Sequence, residues 1–117
     1  MKTQAQLFTR ALNKIGAVGS GQTASSEDVA IASGALAPLL AELATLEVCY
    51  IVISDDTAAE EIPDELFQGL ATLLAMDIAA EFGQPAPTDE ARQNAMNVLR
   101  RITAAKPTYE VLEAVYF

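Results

Sequence analysis

The segment of residues 66–82 constrains the fold most, because it is apolar over almost its whole circumference when drawn as a helix. Its polar side chains are mainly Gln68, Thr72, Asp77 and Glu81. A helix with so narrow a polar strip must be covered by other elements on most sides. Pro63 suits the first position of such a helix and Gly83 suits its end. The sequence therefore predicts a helix from Pro63 to Gly83 at the centre of a helical bundle.

Two helices are predicted before the central one. The first runs from about Lys2, with Thr3 as a possible cap, to Ile15, and Gly16 ends it. A glycine-containing connector of residues 16–24 follows. The second helix begins at Ser25 or Ser26 and continues to about residue 47. Pro38 lies inside it, so we expect either a bend or a break into two shorter helices.

A fourth helix is predicted from a Thr88 cap to about Ala105, with Pro107 ending it. Its apolar side chains recur at helical spacing and should face inward: Ala95, Met96, Leu99 and Ile102. Alanine supplies much of the apolar content and favours helix over strand. The predicted fold is therefore all-α, a single bundle domain of about four helices over residues 1–106, with residues 107–117 as a separate extended segment.

Two segments do not fit the helical pattern. Residues 48–53 are β-branched and aromatic, which favours an extended conformation. Residues 108–117 show neither a helical stripe nor a clean alternation. Two interpretations stay open for them: a C-terminal docking arm that binds a partner, or a small β-pair with residues 48–53 on the same domain. The apolar side chains of this segment are Tyr109, Val111, Leu112, Val115, Tyr116 and Phe117.

The charge is distributed unevenly along the chain. The formal net charge is −9, and between Lys14 and Arg92 there are fourteen acidic residues and no lysine or arginine. Such a surface repels phosphate backbones, which argues against sequence-specific nucleic-acid binding. No apolar run approaches the ~20 residues that span a bilayer, and the N-terminus lacks an apolar signal core. We therefore expect no membrane association and residence in a cytoplasm.

The chemistry of the chain argues against an enzyme. The chain contains no histidine, which removes histidine bases and most transition-metal sites. The adjacent acids at 55–56, 60–61 and 64–65 lack the spacing of a calcium loop, and we interpret them as solvated loop and helix-capping charges. Cys49 lies in an apolar stretch and is expected to be a buried, inert thiol. We expect no catalytic residue, no cofactor and no metal.

Two stretches carry a resemblance to a known family. Residues 11–28 combine a helix end, a glycine turn and a serine-capped helix start, and residues 62–83 form a helix that closes on Phe-Gly. This order resembles the head-to-tail adaptors of tailed bacteriophages, specifically the tail accessory or packaged-DNA-stabilisation family of short-tailed phages. The resemblance covers about residues 7–105. Its motifs are helix caps and alanine-leucine helices.

The resemblance implies a structural virion protein made in the host cytoplasm and placed at the head-tail junction. Identical subunits, twelve by family resemblance, would form a ring under the phage portal protein, extend the DNA channel and receive the next tail or stopper protein. DNA would be passing cargo only. Residues 108–117 would then be the portal-docking arm. Basic residues near the two ends would meet acids of neighbouring subunits: Arg10, Lys14, Arg92, Arg100 and Arg101.

A second function is compatible with the same composition. An acidic helical module of this size could act as a cytoplasmic antitoxin or adaptor that neutralises a basic protein partner through its acidic face. Gene neighbours would separate the two hypotheses, since portal and coat genes favour the connector and a basic toxin or regulator favours the module.

Overall fold

The computed structural model describes residues 1–17, 19, 22, 24–85 and 87–105. Four α-helices make up most of this part: α1 (Gln4–Lys14), α2 (Ser26–Thr45), α3 (Asp64–Ile78) and α4 (Asp89–Ala105). A 3₁₀ turn, Ala79–Phe82, extends α3. A two-stranded antiparallel sheet joins β1 (Lys2–Thr3) to β2 (Glu60–Ile62). The prediction of an all-α bundle of about four helices is confirmed.

Helix α3 is the centre of the bundle, as its sequence predicted. The other three helices all pack against it. Its buried side chains lie on most sides of the helix: Leu66, Phe67, Leu70, Ala71, Leu73, Leu74, Ala75 and Ile78. Gly83 then adopts a left-handed φ of 75°, which glycine tolerates without steric cost, and the helical run ends there.

The helix starts follow local capping chemistry. Thr3 and Gln6 form a reciprocal capping box at the start of α1, because the Thr3 hydroxyl accepts from the Gln6 amide and the Gln6 side chain accepts from the Thr3 amide. The Ser25 hydroxyl accepts from the amide of Asp28 at the start of α2. The Thr88 hydroxyl accepts from the amide of Ala91 at the start of α4. All three caps were predicted from the sequence.

Helix α2 is continuous through Pro38, so the predicted alternative of two shorter helices is wrong. Proline removes the hydrogen bond that the Gly34 carbonyl would otherwise receive. Both Pro38 and Gly34 are exposed, and water can reach that carbonyl. The helix also ends slightly earlier than predicted, at Thr45, because Glu47 takes a left-handed φ of 57°.

The sheet differs from the pairing considered in the sequence analysis. Its strands come from residues 2–3 and 60–62, and residues 48–53 belong to neither. Helix α1 accordingly begins at Gln4 and not at Lys2, since Lys2 and Thr3 pair with β2. The other half of the alternative pairing, residues 108–117, lies outside the described residues.

Helices α3 and α4 run antiparallel and approach each other closely at Gly69. A Cβ atom on Gly69 would lie 2.5 Å from Cδ2 of Leu99. Leu99 is fully buried against that position, and Met96 is buried one turn earlier on the same face. Because residue 69 has no side chain, the side chain of Leu99 in α4 can pack directly against the backbone of α3.

Candidate interaction site

The predicted docking arm cannot be placed, because its six apolar side chains lie outside the described residues. The predicted subunit contacts can be placed, since all five basic residues of that group fall in α1 and α4.

The basic residues of α1 project outward. Arg10 is exposed, and its Nε donates to Oε1 of Gln68 at 3.2 Å. Lys14 is exposed and has no hydrogen-bond or ion-pair partner within the described part of the chain. It stands at the mouth of an open cleft of about 420 Å³ whose other lining includes Ile15, Met76 and Pro85. Both side chains are therefore available to a neighbouring protein.

The basic residues of α4 divide into two kinds. Arg100 donates to the Oδ1 of Asn97 at 3.2 Å, one turn earlier on the same helix. Arg101 is exposed and meets no partner among the residues that the structure describes. Arg92 is different, because its guanidinium is already engaged inside the subunit.

Arg92 joins three helices. Its Nη1 lies 2.9 Å from Oε1 of Glu42 in α2, and its Nη2 lies 3.1 Å from Oδ1 of Asp77 in α3. The side chain of Arg92 is only 22% exposed and that of Asp77 only 24%. Burial raises the pKa of the Asp77 carboxyl. Arg92 lowers this pKa because it favours the charged carboxylate, and the nearby negative charge of Glu42 raises it by a smaller amount.

This ion-pair cluster was missed in the sequence analysis, which assigned Arg92 to a neighbouring subunit. The sequence feature that could have indicated the cluster is the position of Arg92, which is the first basic residue after the long acidic interval. An arginine facing acids from two helices satisfies charges that the fold itself buries. The prediction of a subunit contact stays untested for all five residues, and the cluster gives Arg92 a role inside the subunit.

A second polar network fixes the loop before β2. The carboxylate of Glu61 accepts from the Ser54 amide at 2.8 Å and from the Ser54 hydroxyl at 3.0 Å. The buried amide of Gln4 donates to the Ser54 carbonyl at 2.9 Å and to Glu61 at 3.3 Å. Residue 54 is thereby held against the start of α1 and against β2. Nothing in the sequence pattern singled out Gln4.

The segment after α2 presents apolar side chains to solvent. Leu46 is 44% exposed, Tyr50 70% and Val52 88%. Cys49 is buried between them in sequence, as predicted, and burial raises the pKa of its thiol, which keeps it protonated and unreactive. Exposed apolar groups at this density are typical of surfaces that another chain covers.

Within the described ranges no cluster of three or more histidine, cysteine or acidic side chains could hold a metal ion. Helix α2 is long and apolar enough by length and composition to cross a membrane. A core helix passes the same test, and Leu36, Leu39 and Leu43 of α2 are buried in the bundle core. This observation is therefore weak evidence for a membrane span.

No family model, curated protein or solved structure matches the chain. The comparisons therefore supply no relative whose activity or partner could be considered for this protein. Functional inference rests on the resemblance carried by residues 11–28 and 62–83 and on the geometry described above.

Proposed function

We propose that this chain is a structural subunit of a bacteriophage head-to-tail connector. Copies of it form a ring, twelve-fold by resemblance, that docks under the portal, extends the DNA channel and receives the next tail or stopper protein. The protein is made in the host cytoplasm, resides in the virion and performs no catalysis. It requires no cofactor.

The observation that carries the proposal is the position of the family-like motifs in the fold. The glycine turn connects α1 to a serine-capped α2, and the Phe82–Gly83 closure ends the helix around which the bundle is built. Both stretches therefore lie at helix boundaries of the bundle, in the order that the resemblance implies.

The charges support the same role. The fourteen acids between Lys14 and Arg92 lie on α2, α3, the start of α4 and the loops between them, and most of them are exposed. A channel lined by such a surface repels passing DNA and does not retain it. Lys14 and Arg101 remain available for acids of neighbouring subunits, which suits a heterologous ring contact.

Docking through residues 107–117 is weak for one subunit and effective for a ring. Ordering these eleven residues costs about 10–20 kcal/mol. Burying six apolar side chains returns about 9–18 kcal/mol at ~1.5–3 kcal/mol each. The ordering cost and the burial gain nearly cancel for one segment. Binding then depends on the C-terminal segments of many subunits acting together at high effective concentration.

The test is reconstitution with purified portal rings from short-tailed phages, viewed by electron microscopy. We expect a ring of added density on one face of the portal. The variant lacking residues 108–117 should show no added density while its far-UV circular dichroism keeps the wild-type helical signal. A Tyr116→Ala/Phe117→Ala double variant is the matched point-mutant test, and Glu113→Gln in the same segment is the control that should still dock.

Two outcomes would contradict the proposal. The first is a well-folded protein that adds nothing to any portal ring tested at concentrations of tens of micromolar. The second is tight stoichiometric capture of a small basic protein with no affinity for portals, which would favour the antitoxin-like or adaptor function. The exposed Asp55, Asp56 and Glu60 would be the first residues to neutralise in that case.

A further inference from the structure

The edge segment, Tyr50 to Ile53, has the side-chain pattern of a β-strand, and it pairs with no strand among the residues that the structure describes. Exposure alternates along it: Tyr50 and Val52 are exposed, whereas Ile51 and Ile53 are partly buried and pack against the core. This period of two is that of an extended chain lying on an apolar surface. Within the described part of the chain, its four backbone N–H groups and four carbonyl groups make no hydrogen bond.

An extended segment with an open backbone edge and exposed apolar side chains is a template for another strand. We infer that the edge segment is the docking site for residues 109–112 of the same chain, which add to it as an antiparallel strand. The occupant is favoured by composition, because Tyr109 and Val111 are aromatic and β-branched residues of the kind that pair well with Ile51 and Ile53.

The course of the chain brings the two segments to one end of the bundle. Arg92 meets Asp77 near the end of α3, and Leu99 packs on Gly69 near its start. Helix α4 therefore ends at Ala105 close to the first residues of α3. The bonds from Ser54 to Glu61 place the residue that follows the edge segment at that same end.

The direction of the chain also fits. The segment after α2 starts where Glu42 meets Arg92, near the end of α3, and reaches Ser54 near the start of α3. A chain that leaves α4 at Ala105 and turns back along this segment runs antiparallel to it. Residues 106–108 span up to about 10 Å at ~3.3 Å per residue, which gives the turn its length.

Side-chain chemistry selects one register. With Val111 opposite Ile51 and Tyr109 opposite Ile53, these four side chains share the core side of the pair. Glu110 then lies opposite Val52 on the solvent side, where its carboxylate stays hydrated. A shift by one residue would place Glu110 on the core side.

The pairing would hold the apolar segment against its own subunit before assembly. Release of the segment to a portal is a consequence that rests on the proposed function, whereas the pairing itself does not. The test below uses the isolated protein without any portal, and its result is therefore independent of whether the connector proposal holds.

Disulfide trapping tests the register directly in the full-length chain. Directly opposed residues of antiparallel strands have Cα atoms about 4.5–5.5 Å apart, within the range that a disulfide bridges. In a Cys49→Ser background, Val52→Cys with Glu110→Cys should oxidise within the chain at micromolar protein concentration. Val52→Cys with Glu113→Cys is the control, because residue 113 lies beyond the paired residues 109–112, three positions from Glu110, and should remain reduced.

Amide hydrogen exchange tests the same contact without cysteines. The N–H groups of a strand point alternately to its two sides, so the added strand bonds either the amide of Val52 or those of Ile51 and Ile53. In the wild-type chain these bonded amides should exchange at least about tenfold more slowly than in a Val111→Asp variant, because pairing protects them. Exchange within α3 should be the same in both proteins, which shows that the bundle is intact.

Three results would overturn the inference. One is equal oxidation of the two cysteine pairs. Another is a disulfide that forms only between chains, which assigns the edge segment to a second copy. The third is a wild-type chain in which all the amides of residues 51–53 are unprotected.

Discussion

Arg92 offers the sharpest test of how this bundle uses its few cations. We replace it with methionine, which keeps much of the aliphatic length and removes the guanidinium. If Arg92 holds Glu42 and Asp77 within the subunit, the isolated protein loses stability. If Arg92 instead serves a neighbouring subunit, the isolated protein is unaffected.

The expected size of the loss follows from the exposure of each partner. Glu42 is 44% exposed, so its ion pair contributes about 0.2–1 kcal/mol. Asp77 is only 24% exposed and accepts a charged hydrogen bond, worth about 1–2 kcal/mol after allowance for solvent screening. The sum is a loss of about 1–3 kcal/mol. For a domain of this size that lowers Tm by about 4 °C per kcal/mol.

The assay is equilibrium urea unfolding at pH 7, followed by circular dichroism at 222 nm. Arg101→Met is the matched control, since it makes the same chemical change in the same helix at an exposed residue without a described partner. It should stay within about 0.5 kcal/mol of wild type. A double-mutant cycle of Arg92→Met with Asp77→Asn should give a coupling energy of about 0.5–2 kcal/mol. An Arg92→Met protein as stable as the Arg101→Met control would refute the internal role.

Three further predictions use the same unfolding assay. Gly69→Ala should lose up to about 2 kcal/mol net of unfolding free energy, because overpacking against Leu99 costs about 1–3 kcal/mol and the helix-propensity gain offsets ~1 kcal/mol of it; in a Leu99→Ala background the loss should vanish. Burial raises the Asp77 pKa above 3.8, so its contribution to stability is complete below that value and declines as pH rises through the folded-state pKa. The stability difference, wild type minus Asp77→Asn, should therefore fall with rising pH in that range, and a difference that grows would contradict the assignment. Glu61→Ala should lower the free energy of unfolding by about 1–3 kcal/mol, because it removes an acceptor from the buried Gln4 amide and from the Ser54 backbone amide. No loss of stability would show that the network is dispensable.

The helices of this fold could be predicted because each is specified locally. Thr3, Ser25 and Thr88 cap their helices through bonds to residues three positions later, a distance that sequence inspection covers. The narrow polar strip of α3 likewise encodes its central place. Gly83 ends the helical run as its freedom of φ allows.

Other features depend on residues far apart in the chain and could not be predicted. The partner of strand β2 is a two-residue strand at the N-terminal end of the chain, and so short a strand carries no recognisable alternation. Gln4 bonds to Ser54 across 50 positions. Arg92 finds Glu42 only because α2 and α4 both lie against α3. Such contacts result from the packing of the helices, and no spacing of residues in the local sequence indicates them.

The positions of the free cations restrict how a ring could be built. Lys14 lies beside Ala75 and Ala79, at the end of α3, whereas Arg101 follows Leu99, which packs on Gly69 near the start of α3. At 1.5 Å per residue these places are separated by about 10–15 Å along the axis. The two residues therefore do not form one basic patch. In a head-to-tail ring, at this separation, Lys14 and Arg101 would meet different acidic residues of the neighbouring subunits. Their neutralising variants should consequently have additive effects on assembly.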